Sequence, residues 1–126
     1  MKKSGSTEIS QLLNAMNVEG GFPISVLTDR HGFPIASAAN TGQNADTQSA
    51  VVAMVQKTAS QVRDQLGMAQ TDEISLYDTD GRRLVCRPFS VNGHDMILAV
   101  LVADRKSSYR RLTNQAVAAI CKMWKL

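Results

Sequence analysis

The chain has 126 residues and a mass of 13.7 kDa, the size of one globular domain. A hydrophobic fraction of 44% and a charged fraction of 20% exclude general disorder, and an aromatic fraction of 5% excludes a stacking platform for single-stranded nucleic acid. No apolar run approaches the roughly 20 residues that a membrane-spanning helix needs, and none follows the N-terminal lysines as in a secretory signal. We therefore expect a cytoplasmic protein without a transmembrane segment, with a disordered tip at 1–6 and one domain over 7–126.

The net charge of +3 is unevenly distributed. Residues 1–104 contain 8 Lys/Arg against 11 Asp/Glu, whereas residues 105–126 contain six Lys/Arg and no acid. Two of the cations fall in the first turn of a predicted helix, where the helix dipole favours acids. This segment is either a solvated basic face or a docking patch for an acidic protein surface or anionic lipid. The candidate docking residues are Arg105, Lys106, Arg110 and Arg111.

The first third of the chain predicts a helix followed by a hairpin. Apolar residues at i, i+3, i+4 and i+7 favour a helix over 7–17, and a glycine pair ends it. Two strands over 23–28 and 33–39 flank the turn Asp29-Arg30-His31-Gly32, in which the glycine can take a positive φ.

A second helix is predicted over 46–66, with Asn44 or Asp46 as its N-cap and Gly67 as its stop. Its start, Ala50 to Val55, is apolar all round, and a helix of this kind is covered on every side. On a 100° wheel one apolar face is expected to cover a sheet. That face consists of Val51, Val55, Thr58, Ala59, Val62 and Leu66, flanked by Met54.

The opposite side of the second helix carries mostly small residues. Ser49, Ala53, Gln56 and Ser60 form a ridge that lets another helix come close. The second cover is expected from another copy of the chain, because a twofold dimer lets one patch serve both subunits. The alternative is an oversized apolar face beneath a loop of the same chain.

The remaining chain predicts three strands and a helix. Strands are expected over 73–77, 82–91 and 96–103, and the last of these is apolar without alternation, so it is central and buried on both faces. Pro88 requires a bulge or an unpaired position. A final helix, capped by Ser107 or Ser108, completes the order α-β-β-α-β-β-β-α. The class is α/β of the α+β type, an antiparallel sheet with helices on both faces.

Catalytic and metal-binding patterns are weak. Cys86 and Cys121 are far apart in sequence and are expected to be reduced structural thiols. His31 and His94 fall in predicted turns and are expected to be exposed. The pair Asp78 and Asp80 lies in a D-x-D-G turn that explains both. We therefore expect no enzyme, no cofactor and no metal, although an enzyme built around the two histidines stays an alternative.

The whole pattern resembles the Roadblock family, which includes the dynein light chain Roadblock type and bacterial regulators of Ras-like polarity GTPases. The resemblance covers about 7–124. It rests on the turn Thr28–Ala36 (TDRHGFPIA), the long Ala/Val/Met helix and the apolar strand Ile97–Val102. The segments Ser75–Tyr77 and Leu84–Phe89 lie between them.

The resemblance implies a five-stranded sheet in the order 2-1-5-4-3, with the second helix on one face and the first and third helices on the other. It also implies a homodimer, or a heterodimer with a paralogue, in which the second helices pack together and the third strands pair. Members of the family bind, regulate or scaffold small Ras-like GTPases and are not enzymes by themselves, although some accelerate GTP hydrolysis by their partner. The expected dimer or partner interface consists of Ser49, Val52, Ala53, Gln56, Lys57, Ser60 and Arg63.

Two other hypotheses stay open. A profilin-like or PAS-like ligand-sensing module would also use a central antiparallel sheet, and it would need a pocket between the sheet and a helix. A lipid- or nucleic-acid-binding role would use the basic C-terminal helix, although nucleic acid is not the expected partner.

Overall fold

Eight elements follow one another in the predicted order in the computed structural model, which describes the backbone of residues 2–124 and the side chains of residues 6–124. The first helix begins at Lys2, five residues before its predicted start, so its backbone extends into the predicted tip. The side chains of 1–5 lie outside the described ones, and the disorder of the tip stays a prediction. The elements are α1 (Lys2–Gly20), β1 (Ile24–Asp29), β2 (Pro34–Ala39), α2 (Ala45–Leu66), β3 (Ile74–Tyr77), β4 (Arg83–Val91), β5 (His94–Val102) and α3 (Arg110–Met123).

The five strands form one antiparallel sheet in the order β2-β1-β5-β4-β3, which confirms the predicted topology. β5 lies at the centre, and its side chains alternate between two cores. Met96, Leu98, Val100 and Val102 join the core beneath α1 and α3, and Ile97 and Ala99 join the core beneath α2. The continuous apolar run in the sequence therefore reflects burial on both faces, as predicted.

The orientation of α2 differs from the prediction. Val52 is fully buried against the sheet and Ser49 is 2% exposed, whereas the predicted sheet-facing residues Val51, Val62 and Leu66 are exposed. In this orientation the start of the helix lies close to the β1–β2 turn: a Cβ at Gly32 would lie 2.8 Å from the Ser49 carbonyl oxygen. The small ridge thus accommodates the β1–β2 turn.

The glycine stops of α1 and α2 share one geometry. Gly21 and Gly67 have φ values of 69° and 65°. In each case the next residue donates its backbone N–H back into the helix, from Phe22 to the Asn17 carbonyl and from Met68 to the Arg63 carbonyl, as in a Schellman motif. α1 therefore runs to its glycine pair, three residues beyond the predicted end.

The N-caps of α2 and α3 differ. The predicted cap Asn44 is confirmed for α2, because its side chain accepts a hydrogen bond from the Thr47 N–H. The predicted serine caps of α3 are wrong. Tyr109 holds the N-cap position without a side-chain cap, and Ser107 belongs to a turn in which the Asp104 carboxylate accepts its N–H.

Pro88 is accommodated without a bulge. The β4–β5 ladder keeps its register through Pro88, which pairs with Ile97, and β3 pairs with β4 only as far as Cys86. Pro88 thus lies where β4 has lost its second neighbour, so its missing N–H removes no bond to β3.

Two D-x-x-G turns have the same hydrogen bonds. The Asp29 and Asp78 carboxylates each accept two backbone N–H groups, from residues two and four positions further along. Gly32 and Gly81 follow with φ values of 87° and 88°. Their surroundings differ: a Cβ at Gly32 would lie 2.6 Å from the Cβ of Ala53, whereas one at Gly81 would lie 3.2 Å from the flexible tip of Arg105.

Alanine substitutions at Gly32 and Gly81 distinguish the cost of a left-handed backbone from the cost of overpacking. We expect Gly81→Ala to lower the free energy of unfolding by about 1–2 kcal/mol, the cost of left-handed backbone for an L-residue. Gly32→Ala is expected to lose a further ~1–3 kcal/mol through overpacking against α2. Chemical denaturation of both variants measures the difference, and equal losses would contradict the close approach.

Candidate interaction surface

An open apolar groove of about 830 Å³ runs between the outer side of α2 and the segment that leads into β3. Met54 is 69% exposed, Leu66 70%, and Leu76 on β3 59%. Large apolar side chains that are exposed side by side mark an interaction site more often than scattered ones do. We call this surface the apolar flank. It consists of the groove-lining residues Met54, Thr58, Val62, Met68 and Leu76, together with Leu66, which lies one helical turn beyond Val62. Arg63, Asp72 and Glu73 also line the groove.

β3 forms one edge of the sheet. Its four residues, Ile74–Tyr77, pair antiparallel with Arg83–Cys86 of β4. Within the described chain, the other edge of β3 has no paired strand. Its side chains from Ser75 to Tyr77 are exposed. An edge of this kind presents backbone donors and acceptors to another strand. The apolar flank is therefore continuous with a free strand edge.

The other side of α2 is polar and carries two smaller grooves. Gln56 and Ser60 line both grooves, Arg63 and Asp95 line one of about 300 Å³, and Lys57 lines the other, of about 470 Å³. We call this surface the polar flank; it also includes Arg30. Its ion pairs are exposed: the guanidinium of Arg30 lies 3.9 Å from the Asp95 carboxylate, and that of Arg63 lies 3.3 Å from its neighbour Asp64. Exposed pairs of this kind contribute little to stability and leave both arginines available.

The predicted interface residues separate into two groups. Ser49 and Val52 lie inside the subunit, so they offer a partner no surface, and their place in the predicted set is corrected. The other five retain accessible surface. The structure brings them together along the polar flank, in or beside the grooves: Ala53, Gln56, Lys57, Ser60 and Arg63.

The predicted sheet-facing stripe is partly wrong. Val62 and Leu66 were expected to cover the sheet, with Met54 beside them, and all three side chains are exposed. Met68 and Leu76 were not singled out, because they lie in a loop and a short strand without a helical repeat.

A cluster of hydrogen bonds and ion pairs joins the start of β3 to the start of α3. The Glu73 carboxylate accepts hydrogen bonds from the Tyr109 hydroxyl and the Ser75 hydroxyl and forms an ion pair with Arg110. Arg110 also pairs with Asp72 at 2.9 Å. We call these residues the β3–α3 cluster.

Two buried arginines on β4 flank this cluster. Arg83 and Arg87 are each 8% exposed. Arg87 donates to the Thr113 hydroxyl at 2.8 Å, and its guanidinium lies 4.0 Å from the Asp72 carboxylate. Buried guanidinium groups need partners of this kind, because an unpaired charge is costly away from water. α3 is thereby attached to β4 as well as to β3.

The cluster shifts the ionisation of its acids. The hydrogen bond and the charge of Arg110 lower the pKa of Asp72. Partial burial favours the neutral form of Glu73, but hydrogen bonds from Tyr109, Ser75 and Arg110 outweigh it and hold its pKa below the ordinary value. Burial and the neighbouring Glu73 carboxylate raise the pKa of Tyr109. Both acids are therefore ionised and bound at neutral pH.

Two of the four candidate docking cations are engaged within the chain. Arg110 belongs to the β3–α3 cluster, and Arg111 lies 3.2 Å from the Glu19 carboxylate of α1. Arg105 and Lys106 are exposed in the turn before α3. The predicted docking patch is therefore reduced in free charge, and its binding role stays a prediction.

The residues weighed for catalysis and metal binding are dispersed. His31 and His94 are exposed, and the Asp78 carboxylate is used by its own turn, as predicted. Burial raises the pKa of the Cys86 thiol to about 12, so this sulfur is a poor nucleophile. Over residues 6–124, no group of three or more His, Cys, Asp or Glu side chains is placed to hold a metal ion.

None of the helices in the described range has the length and hydropathy to span a membrane.

The lowered pKa values of Asp72 and Glu73 predict a loss of stability in acid. Because each folded pKa lies below its ordinary value, 3.8 for Asp72 and 4.5 for Glu73, the stabilisation is complete above those values and disappears as the pH falls through the folded pKa. The chain with Asp72→Asn and Glu73→Gln should melt below wild type at pH 7, and the gap should be smaller at a pH below 3.8, because the stabilisation is lost as the pH falls through the folded pKa values. Glu19→Gln, which removes an exposed carboxylate elsewhere, should show a small gap at both pH values. A gap for the double variant that is independent of pH would contradict the assignment.

Solved structures share this architecture. The MglB of Myxococcus xanthus superposes with a TM-score of 0.78 at 16% identity, over 95% of this chain and 92% of that one. An MglB with a tetrameric arrangement gives 0.75 at 18% identity, over 94% and 89%. A Roadblock/LC7 domain from Streptomyces avermitilis gives 0.70 at 17% identity, over 90% and 91%.

Comparisons based on sequence give no match. No protein-family model and no curated protein matches the chain. The fold is therefore recognised from the strand order, the placement of the three helices and the agreement with these structures over almost the whole chain. The chain has a Roadblock-type fold.

Proposed function

We propose that this chain is a self-associating Roadblock-type module, a homodimer or a heterodimer with a paralogue, that binds a small Ras-like GTPase in the cytoplasm and regulates or scaffolds it. The observation that carries the proposal is the apolar flank of α2, which is exposed in the single chain and continuous with the free edge of β3. The module acts by binding, and no catalytic residue is assigned to it.

Self-association is supported by the amount of apolar surface that one chain leaves in water. Met54, Thr58, Val62 and Leu66 are spaced four residues apart, about one helical turn, so a second α2 placed alongside would cover all four. Fully burying a side chain of this size stabilises an interface by roughly 1.5–3 kcal/mol. A twofold axis beside β3 would also let two free strand edges pair. The tetrameric arrangement of one MglB is an association of a protein with the same fold.

GTPase binding is supported by the family resemblance and by the separation of the two flanks. Pairing through the apolar flank leaves Arg30, Lys57 and Gln56 on the polar flank accessible, whereas Arg63 borders both the apolar and the polar groove. These cations and amides suit a polar protein surface better than an apolar one. The proposed partner site therefore consists of the polar flank, with the residues that the resemblance implied, apart from Ser49 and Val52.

Light scattering with one matched pair of variants tests self-association. Wild type should have twice the monomer mass of 13.7 kDa, and Val62→Arg should be a monomer, because a long charged side chain cannot be buried unpaired in a helix crossing. Val18→Arg is the control, since Val18 is 76% exposed on α1, away from the apolar flank. It should stay dimeric. A wild-type chain that is monomeric at high concentration would contradict the dimer.

Binding to small Ras-like GTPases loaded with GTP or GDP tests the partner. We expect one nucleotide state to bind more tightly. The combined change Arg30→Ala and Lys57→Ala should weaken binding at least about tenfold without changing the dimer mass, because both residues line the polar grooves and neither lines the apolar one. Arg82→Ala, which removes an exposed cation of the Asp78 turn, should leave binding unchanged. Failure to bind in both nucleotide states would contradict the function.

A ligand-sensing module remains the second candidate, because the apolar groove of about 830 Å³ has the size of a small-molecule site. That function requires the groove to be accessible, whereas the dimer covers it. A monomeric wild type that is stabilised against heating by an apolar ligand would favour the second candidate.

A further inference from the structure

β3 has few contacts of its own. It is four residues long, pairs with β4 alone in the described chain, and has three exposed side chains. A strand this short at a sheet edge is prone to local opening. Its order therefore depends on what holds its two ends.

Glu73 holds the first end. It precedes β3 by one residue, its side chain is 17% exposed, and its carboxylate binds both Tyr109 and Arg110 at the start of α3. Ser75 within β3 donates to the same carboxylate at 2.7 Å. The Glu73 carboxylate thus connects β3 to the start of α3.

Arg83 holds the second end. Its guanidinium lies over the rings of Tyr77 and Tyr109, 4.9 and 4.5 Å from their centroids, and donates to the Tyr77 hydroxyl at 2.8 Å. It also donates to the Ser107 carbonyl at 3.2 Å. Because Tyr109 contacts both Arg83 and Glu73, the start of α3 secures both ends of β3.

We infer that Glu73 and Tyr109 are positioning residues that hold the β3 edge in the conformation in which it pairs with a second copy of the chain. The inference rests on the proposed self-association. A strand that is already ordered loses less conformational freedom when it pairs, so association is tighter. Glu73 lines the apolar groove itself, whereas Tyr109 at the start of α3 does not, so Tyr109 controls the strength of a contact that it does not line.

The first turn of α3 contains a cation, Arg110, that two acids beside β3 compensate. Arg110 opposes the helix dipole, yet it is bound by Asp72 and Glu73, two acids that lie where the dipole favours negative charge. The pair of acids therefore compensates the unfavourable cation and binds it to the edge of β3 at the same time.

Two substitutions test the inference, with two measurements on each. Glu73→Gln keeps the size of the side chain and removes its charge, and Tyr109→Phe removes only the hydroxyl. Glu73→Gln should raise the dimer dissociation constant about tenfold and speed amide exchange of residues 74–77 by a similar factor. Tyr109→Phe should produce smaller changes in the same direction. Glu19→Gln, which breaks the ion pair of the adjacent Arg111, should change neither quantity.

The outcomes separate this inference from the proposed function. If wild type dimerises and Glu73→Gln lowers the melting temperature without changing the dissociation constant, Glu73 is only structural and the inference is overturned. If wild type is monomeric at all concentrations, the proposed self-association fails together with the coupling to it. Unchanged exchange at residues 74–77 in Glu73→Gln would overturn the positioning role in either oligomeric state.

Discussion

The second helix has more apolar surface than one sheet can cover, and the other features of the molecule are arranged around this constraint. Val52 turns toward the sheet and is fully buried, so Met54, Val62 and Leu66 on the adjacent side remain in water. β3 ends the sheet beside these side chains. An exposed apolar helix face next to an open strand edge is a geometry that a second copy completes with side chains and backbone together.

The sequence predicted the sheet well because the strand signals are local and redundant. The uninterrupted apolar run of β5 indicated a central strand, and two D-x-x-G turns fixed the hairpins by carboxylate acceptors and positive-φ glycines. A helical wheel, in contrast, gives only the angles between side chains around the helix axis and not which side of the helix meets the sheet. The pattern of α2 alone does not say whether Val51 or Val52 points to the sheet. In the fold Val52 does, and the β1–β2 turn lies close to the helix at Ser49 and Ala53.

The same ambiguity explains the error in the predicted interface. Small residues permit a close approach of any backbone, whether of a second helix or of a turn in the same chain. Ala53 accommodates the β1–β2 turn, because a Cβ at Gly32 would lie 2.6 Å from the Cβ of Ala53, so the small size of Ala53 reports an internal contact. The β3–α3 cluster was beyond sequence reasoning for a different reason: Arg110 showed a mismatch with the helix dipole, but its acids lie 37 and 38 positions earlier in the chain, and only the fold brings them together.

The two flanks of α2 differ in chemistry because they have different neighbours. The apolar flank borders the loop and strand that follow the helix, whereas the polar flank borders the β1–β2 turn and the β4–β5 hairpin, which supply Arg30 and Asp95. A partner that recognises charge and a copy that recognises apolar surface would therefore not compete for the same side chains. On this proposal, substitutions on opposite sides of one helix would separate association from partner binding, and loss of the ion pairs at the start of α3 would affect association alone.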